Sequence, residues 1–331
     1  MKKTILAMAV PAMMAAGTTQ AVELYNDGTN AFSVGGRLVL KVEARDQSGK
    51  DSTVKLQNQS SRINFGFKRQ LNENLQARAL MEYAMVSPEK NVDSSFTNRL
   101  GFIALDHSDY GSVAFGKQWS TFYNVAGATD VFWVYGGSAL GIYSNAGDAR
   151  GAARADEAIK YDIALGGLNL SAMYQFEGDA SKADFYRDGS YSAAASYDLG
   201  NGLSFGGAFL ETKIADEDNA KQYVLNATYK LDSLTTGLSY GESKNVEDFE
   251  KARGYEGFVS YNFASGFQAH AGFNILEERS GDAEHNEYIV GGSYNMSGVI
   301  MFAEYANIDM KDTAGAKSRD NKGAVGVRYH F

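Results

Sequence analysis

The sequence has no cysteine among its 331 residues. That absence excludes a disulfide framework, a thiolate metal site and a cysteine nucleophile. Proline is scarce as well, with only 2 residues, so almost every backbone N–H group is available for strand pairing. After residue 21, no apolar run approaches the roughly 20 residues that a membrane-spanning helix requires. A membrane-embedded form of this chain would therefore have to cross the membrane with strands.

The N-terminus carries the pattern of an export signal. Lys2 and Lys3 precede a short apolar stretch at residues 5–16, and small residues lead up to Ala21. The stretch is too short for a membrane anchor, which is the alternative interpretation. We expect a signal peptide at residues 1–21 and one mature domain at residues 22–331.

The chain is acidic, with 31 basic and 40 acidic residues and a formal net charge of −9. Loss of Lys2 and Lys3 with the signal would leave 29 basic residues and a net charge of −11. Because nucleic acid binding depends on neutralising phosphates with Lys and Arg, we expect no nucleic acid partner.

The abundant residues favour strands and tight turns, with 36 Gly, 20 Tyr and 19 Phe. Polar and apolar residues alternate with a period of two, which is typical of strands with one apolar face. In the first segment, Phe32, Val34, Leu38, Leu40 and Val42 alternate with Ser33, Arg37, Lys41, Glu43 and Arg45. About 16 such segments follow one another, at residues 31–45, 57–70, 75–87, 98–106, 112–118, 155–165, 168–177, 190–199, 203–213, 222–231, 234–244, 254–263, 267–277, 286–296, 299–309 and 323–331.

The connections between segments alternate between tight turns and longer polar loops. This alternation predicts an all-β fold, a transmembrane antiparallel β-barrel of about 16 strands. A soluble β-sandwich is the alternative. Tyrosines at strand ends and heavily charged residues on the second face favour the barrel, with two aromatic girdles and a wet lumen. At the C-terminus, Tyr329 and Phe331 share the outward face of the last strand, and we expect them to act as an assembly signal.

One connection, at residues 119–145, is much longer than the others and is rich in aromatic residues. Asp130 is its only charged residue. Since a 16-strand barrel leaves a channel wide enough for a chain segment, we expect this loop to fold into the lumen. The alternative is an external flap that packs on neighbouring loops or on another subunit.

Several motifs resemble those of the Gram-negative general porins, which are trimeric barrels with an inward-folded third loop. They include Asn98-Arg99-Leu100-Gly101-Phe102, Tyr110 to Gly116, Thr129-Asp130, Tyr135-Gly136-Gly137 and the terminal Phe331. The resemblance implies a pore constriction in which Asp130 and Tyr135 of the loop face basic residues of the wall. Arg37, Arg99 and Arg154 match basic positions of the family and have inward parity. For the fourth basic position, Asn64 is the match by spacing, and Arg62 lies one inward step away. The chain departs from the family at Val134 and Trp133, where an acid and a proline are usual.

We therefore expect an outer-membrane porin for passive diffusion of ions and small hydrophilic solutes, weakly selective for cations. The resemblance implies a homotrimer in contact with outer-membrane lipid and lipopolysaccharide, assembled by the barrel assembly machinery. We expect no cofactor and no enzymatic activity, because the four histidines join no acyl-transfer constellation in the sequence. A solute-specific channel and an adhesin or receptor barrel are the alternatives. A sugar channel would need lumen aromatics, and only Phe258 and Phe302 have inward parity on the strands.

Overall fold

A computed structural model describes residues 21–85, 96–144, 146–180, 185–246 and 249–331. The predicted signal peptide, apart from Ala21, lies outside the described residues, and so does most of the predicted connection at 88–97.

The strands follow the alternating segments of the sequence. They are β1 (Val22–Asn26), β2 (Asn30–Gln47), β3 (Thr53–Asn58), β4 (Arg62–Gln70), β5 (Leu75–Met85), β6 (Phe96–His107), β7 (Gly111–Trp119), β8 (Arg154–Ala155), β9 (Ala158–Leu165), β10 (Leu168–Gln175), β11 (Gly178–Ala180), β12 (Phe185–Asp198), β13 (Leu203–Ile214), β14 (Ala220–Leu231), β15 (Leu234–Val246), β16 (Phe249–Asn262), β17 (Phe267–Glu278), β18 (Glu284–Met296), β19 (Val299–Lys311) and β20 (Lys317–His330).

Strand pairing closes the sheet into a barrel. Strands that are adjacent around the wall pair antiparallel, and β20 returns to pair with β2, where Leu40 lies opposite Val327. Short strands such as β3 and β8 continue the line of β4 and β9, so the wall consists of 16 strands. The predicted 16-strand antiparallel barrel is confirmed.

The alternation of the sequence separates the two faces of the wall. Leu38 and Leu40 are exposed on the outside, whereas Lys41 between Leu40 and Val42 is buried within the lumen. The exposed tyrosines fall near both ends of the strands. Tyr197, Tyr261, Tyr294 and Tyr329 lie at the turn end, and Tyr174, Tyr191, Tyr288 and Tyr305 lie towards the loop end. This distribution matches two aromatic girdles on either side of an apolar band.

At the loop end, the strands run further than the sequence predicts. β20 starts at Lys317 rather than at 323, and β3 starts at Thr53 rather than at 57. Beyond the apolar band both faces of the strands meet water. The alternation of polar and apolar residues therefore ends there, while the backbone hydrogen bonds between strands continue. β1 was not predicted either, and it pairs with β2 on the same side as β20. The terminal Phe331 completes this seam through two backbone hydrogen bonds with Gly36, of 2.8 and 3.2 Å.

The connection between β7 and β8 contains two short helices, α1 (Tyr123–Ala126) and α2 (Gly147–Arg150), and a 3-10 helix at Gly127–Thr129. Within the described part of the chain, no helix combines the length and the apolar character needed to span a membrane.

Candidate functional site

Residues 120–153, here called the constriction loop, fold into the lumen as the sequence predicts. Phe122, Val125, Leu140 and Ile142 of the loop form one buried cluster with Leu210 of β13 and Val224 of β14. Wall amides add polar contacts, since Asn226 donates to the Val125 carbonyl at 2.8 Å and Gln222 donates to the Leu140 carbonyl at 3.2 Å. The alternative of an external flap is excluded.

Wall glutamates bind the middle of the loop. The carboxylate of Glu304 accepts the backbone N–H groups of Trp133, Val134 and Tyr135, at 2.5, 2.8 and 3.2 Å. Its Oε1 also lies 2.9 Å from Nε2 of His270. Hydrogen bonds to a charged acceptor in a buried setting are stronger than neutral ones. Glu304 therefore anchors a turn that has no secondary structure of its own.

A second anchor is Glu256 on β16. It accepts the Thr129 hydroxyl at 2.6 Å and the Ala139 N–H at 3.0 Å. Close approach at this point needs glycine, because a Cβ on Gly254 would overlap the carbonyl oxygen of Ala139. Gly136 and Gly137 reverse the loop with positive φ angles of 89° and 67°. The Gly-Gly pair is thus required by backbone conformation.

Asp130 is held by two phenols of its own loop. It accepts hydrogen bonds from the Tyr123 hydroxyl at 2.6 Å and from the Tyr143 hydroxyl. Burial, and then the charge of Asp130, raises the pKa of both tyrosines. Both phenols therefore stay protonated and act as donors to the carboxylate.

On the opposite wall, Arg62 and Arg99 share one carboxylate. Arg62 Nη1 lies 3.3 Å and Arg99 Nε lies 2.9 Å from Oε1 of Glu82. Arg37 lies beside Arg62 in the ladder, and among the residues that the structure describes it bonds only to Ser60, through the hydroxyl at 2.7 Å and the carbonyl at 3.2 Å. The resemblance to the porin family identified these positions, and Glu82 is the common partner of Arg62 and Arg99.

Arg99 reaches the lumen by a different route from the one predicted. Ile103 is exposed on the outside, so strict alternation would place Arg99 outside too. A β-bulge shifts the register between Glu82 and Tyr83, leaving Arg99 without an opposite residue. Bulges re-aim a side chain in this way. The side chain of Arg99 therefore meets the inward residue Glu82 because of the bulge, and strict alternation along β6 would not have placed it there.

The remaining predicted residues lie on either side of this group. Arg154 pairs with Asp148 at 3.1 Å and lies over the ring of Trp119 at 5.8 Å. Tyr135 donates to Glu43 of β2 at 3.4 Å. Among the described residues, Asp130 forms no direct ion pair with an arginine. Tyr143, which donates a hydrogen bond to Asp130, lies within electrostatic range of Arg37 and Arg154.

Sequence reasoning missed three participants: Tyr143, Glu82 and Arg328. Glu82 and Arg328 could have been found from their inward parity, whereas nothing local marks Tyr143 as a partner of Asp130. Phe102 is a further aromatic residue with inward parity, in addition to Phe258 and Phe302. The exposed fractions of the three residues are 6%, 7% and 4%.

In the parts of the chain that the structure describes, no group of three or more His, Asp or Glu side chains is placed to hold a metal ion.

Comparison with known proteins agrees with this architecture. The family model for Gram-negative porins matches residues 4–329. The outer membrane protein YedS of Escherichia coli is 26% identical over the whole of both chains. Outer membrane porin PhoE of Enterobacter cloacae is 27% identical, again over the whole of both chains.

Solved structures share the fold at lower identity. Salmonella typhi OmpF, solved in complex with daunomycin, superposes with a TM-score of 0.80 at 20% identity, covering 94% of this chain and 100% of that chain. The anion-selective porin from Comamonas acidovorans gives 0.75 at 18% identity, covering 91% and 100%. With a closed 16-strand barrel, an inward third loop and a family match over nearly its whole length, the chain belongs to the Gram-negative porin family and is a protein of the outer membrane.

Proposed function

We propose that the protein is a trimeric, water-filled channel for passive diffusion of ions and small hydrophilic solutes. The observation that carries this proposal is the path of the constriction loop. Its anchors, Glu256 and Glu304, lie on β16 and β19, so the loop is held against one side of the lumen. Tyr143, which donates to Asp130, lies within electrostatic range of Arg37 on β2.

A general channel is favoured over a sugar-specific one by the state of the lumen aromatics. A binding slide requires exposed ring faces, but Phe102, Phe258 and Phe302 are all buried. Trp133 stacks on Phe302 with ring centroids 5.7 Å apart. The guanidinium of Arg328 lies over the Trp133 ring, 4.4 Å from its centroid. These rings serve packing rather than a continuous path for a sugar.

For selectivity, we propose that the narrow section favours anions. The weak cation preference predicted from sequence rests on the total charge of the chain. Locally, however, Glu256 and Glu304 are engaged by loop hydrogen-bond donors, and Arg62 and Arg99 share a single carboxylate. Charge at the narrowest point acts on a permeating ion at short range and with little screening.

The test is planar-bilayer recording of the purified protein with a KCl gradient, together with liposome swelling in neutral sugars of rising size. We expect conductance steps in groups of three and a rate of liposome swelling that falls as the sugar becomes larger. The reversal potential should have the sign of an anion-selective channel. A folded trimer that neither conducts nor admits sugars would contradict the channel. A reversal potential on the cation side would contradict only the proposed selectivity.

A further inference from the structure

Arg328 occupies the inward face of the last strand, next to the arginines of the wall. It lies opposite Val39 of β2, one inward step from the pair formed by Arg37 and His330. Its guanidinium lies 4.4 Å from the centre of the Trp133 ring. The same indole stacks on Phe302, with an angle of 12° between the rings. Trp133 of the loop thus joins Arg328 and Phe302 of the wall in one cluster.

Within the described parts of the chain, no acidic side chain forms an ion pair with Arg328. The residue is only 9% exposed, and its Nε atom has no hydrogen-bond partner among the described residues. Glu304 lies within electrostatic range, but its carboxylate is occupied by three loop N–H groups and by His270. Arg37 and Arg62 add further positive charge nearby.

A buried cation without a counterion is costly, and that cost is offset when an anion binds. Guanidinium groups recognise carboxylate and phosphate oxygens through directed N–H donors. We propose that Arg328, with Arg37 beside it, is a binding station for the carboxylate or phosphate group of a solute passing through the pore. The proposal rests on the diffusion function above and adds to it a class of solute, small oxyanions.

Trp133 is a positioning residue for this station. A planar guanidinium on an indole face is attracted by the ring and loses rotational freedom. Lysine would keep the charge at position 328 but would lose the planar stacking and the forked donors. The loop therefore orients the guanidinium group of Arg328, although Arg328 itself belongs to the wall.

The experiment measures how succinate and inorganic phosphate, added separately, reduce the KCl current of single trimers. The variants are Arg328→Gln, Arg328→Lys and Trp133→Leu. Arg319→Gln is the matched control, because Arg319 is exposed on the same strand and pairs with Asp309 at 2.6 Å.

We expect the half-blocking concentration to rise about three- to tenfold in Arg328→Gln, since one charge-assisted hydrogen bond to the solute is lost. Trp133→Leu and Arg328→Lys should show smaller rises, and Arg319→Gln none. Block by phosphate alone or succinate alone would identify which oxyanion the station takes. Equal block in wild type and Arg328→Gln, in trimers that still conduct KCl and admit arabinose, would overturn the station while leaving the channel intact. Trimers without conductance would overturn both proposals.

Discussion

At the scale of single residues, the proposed pore constriction is characterised by which of its charged side chains are already paired. Asp130 is held by two phenols, Arg154 by Asp148, and Arg62 and Arg99 by Glu82. The field across the pore therefore depends on individual side chains that can be neutralised one at a time.

Asp130→Asn removes one negative charge while keeping the size of the side chain. We expect the reversal potential in a KCl gradient to shift towards anions, whereas Arg99→Gln and Arg154→Gln shift it towards cations. The shifts should be larger near 0.1 M than near 1 M salt, because the Debye length falls from about 10 Å to about 3 Å.

The matched control is Asp51→Asn, since Asp51 is exposed outside the strands, between β2 and β3. It should leave the reversal potential unchanged. If Asp130→Asn moves the potential in the same direction as Arg99→Gln, then Asp130 and the arginines do not act across one passage.

At the scale of elements, the constriction loop depends on the wall for its conformation. Its helices have only four residues each, which is too short for independent stability. Its aromatic residues pack on β13 and β14, and its turn is bound by Glu304. The loop should therefore respond to changes in the wall as strongly as to changes in its own sequence.

Glu304→Ala should release the turn at Trp133, Val134 and Tyr135. Removal of one charged acceptor leaves buried N–H groups without a partner, at a cost of about 3 kcal/mol. We expect noisier single-channel currents and faster cleavage within the loop by added protease, with the barrel still folded. Glu284→Gln, at an exposed position on β18, is the control. Quiet currents and an intact loop in Glu304→Ala would show that the apolar cluster alone holds the loop.

At the scale of the whole molecule, closure of the barrel depends on its two ends. β1 and β20 both lie against one side of β2, and Phe331 bonds to Gly36 across the seam. A closed barrel has no free edge, whereas an open one would expose a row of unpaired N–H and C=O groups in the membrane.

Deletion of Phe331 should lower the amount of folded barrel in the outer membrane, because the seam loses its last backbone pair and its outward aromatic. The measurement is the fraction of heat-modifiable protein in membrane fractions. Phe331→Tyr should restore most of it. Wild-type levels in the deletion would mean that the terminal aromatic is ordinary lipid-facing surface.

The trimer makes a separate prediction. Unboiled samples in SDS should migrate as a band of three chains that collapses to the monomer on boiling, because a closed sheet has no free strand edge at which unfolding could begin. Conducting protein that gives only a monomer band without boiling would contradict the trimer. The proposal of a channel would remain intact.

The sequence by itself determined the wall. Alternation with a period of two is a local property, because neighbouring side chains of a strand point to opposite faces wherever the strand lies. It therefore located the strands, their lumen and lipid faces, the turn end and the loop end. It also marked residues 119–145 as a loop that needs apolar partners.

Only the tertiary structure decided how the site is assembled. The partners of the loop are distant in sequence: Glu304 lies 171 residues from Trp133, and Glu256 lies 127 residues from Thr129. The bulge at Arg99 depends on register with β5, and the support of Arg328 depends on where Trp133 comes to rest. These contacts follow from closure of the barrel and from the path of the loop within it. No local pattern encodes them, because their energy comes from surfaces that meet only when the wall is complete.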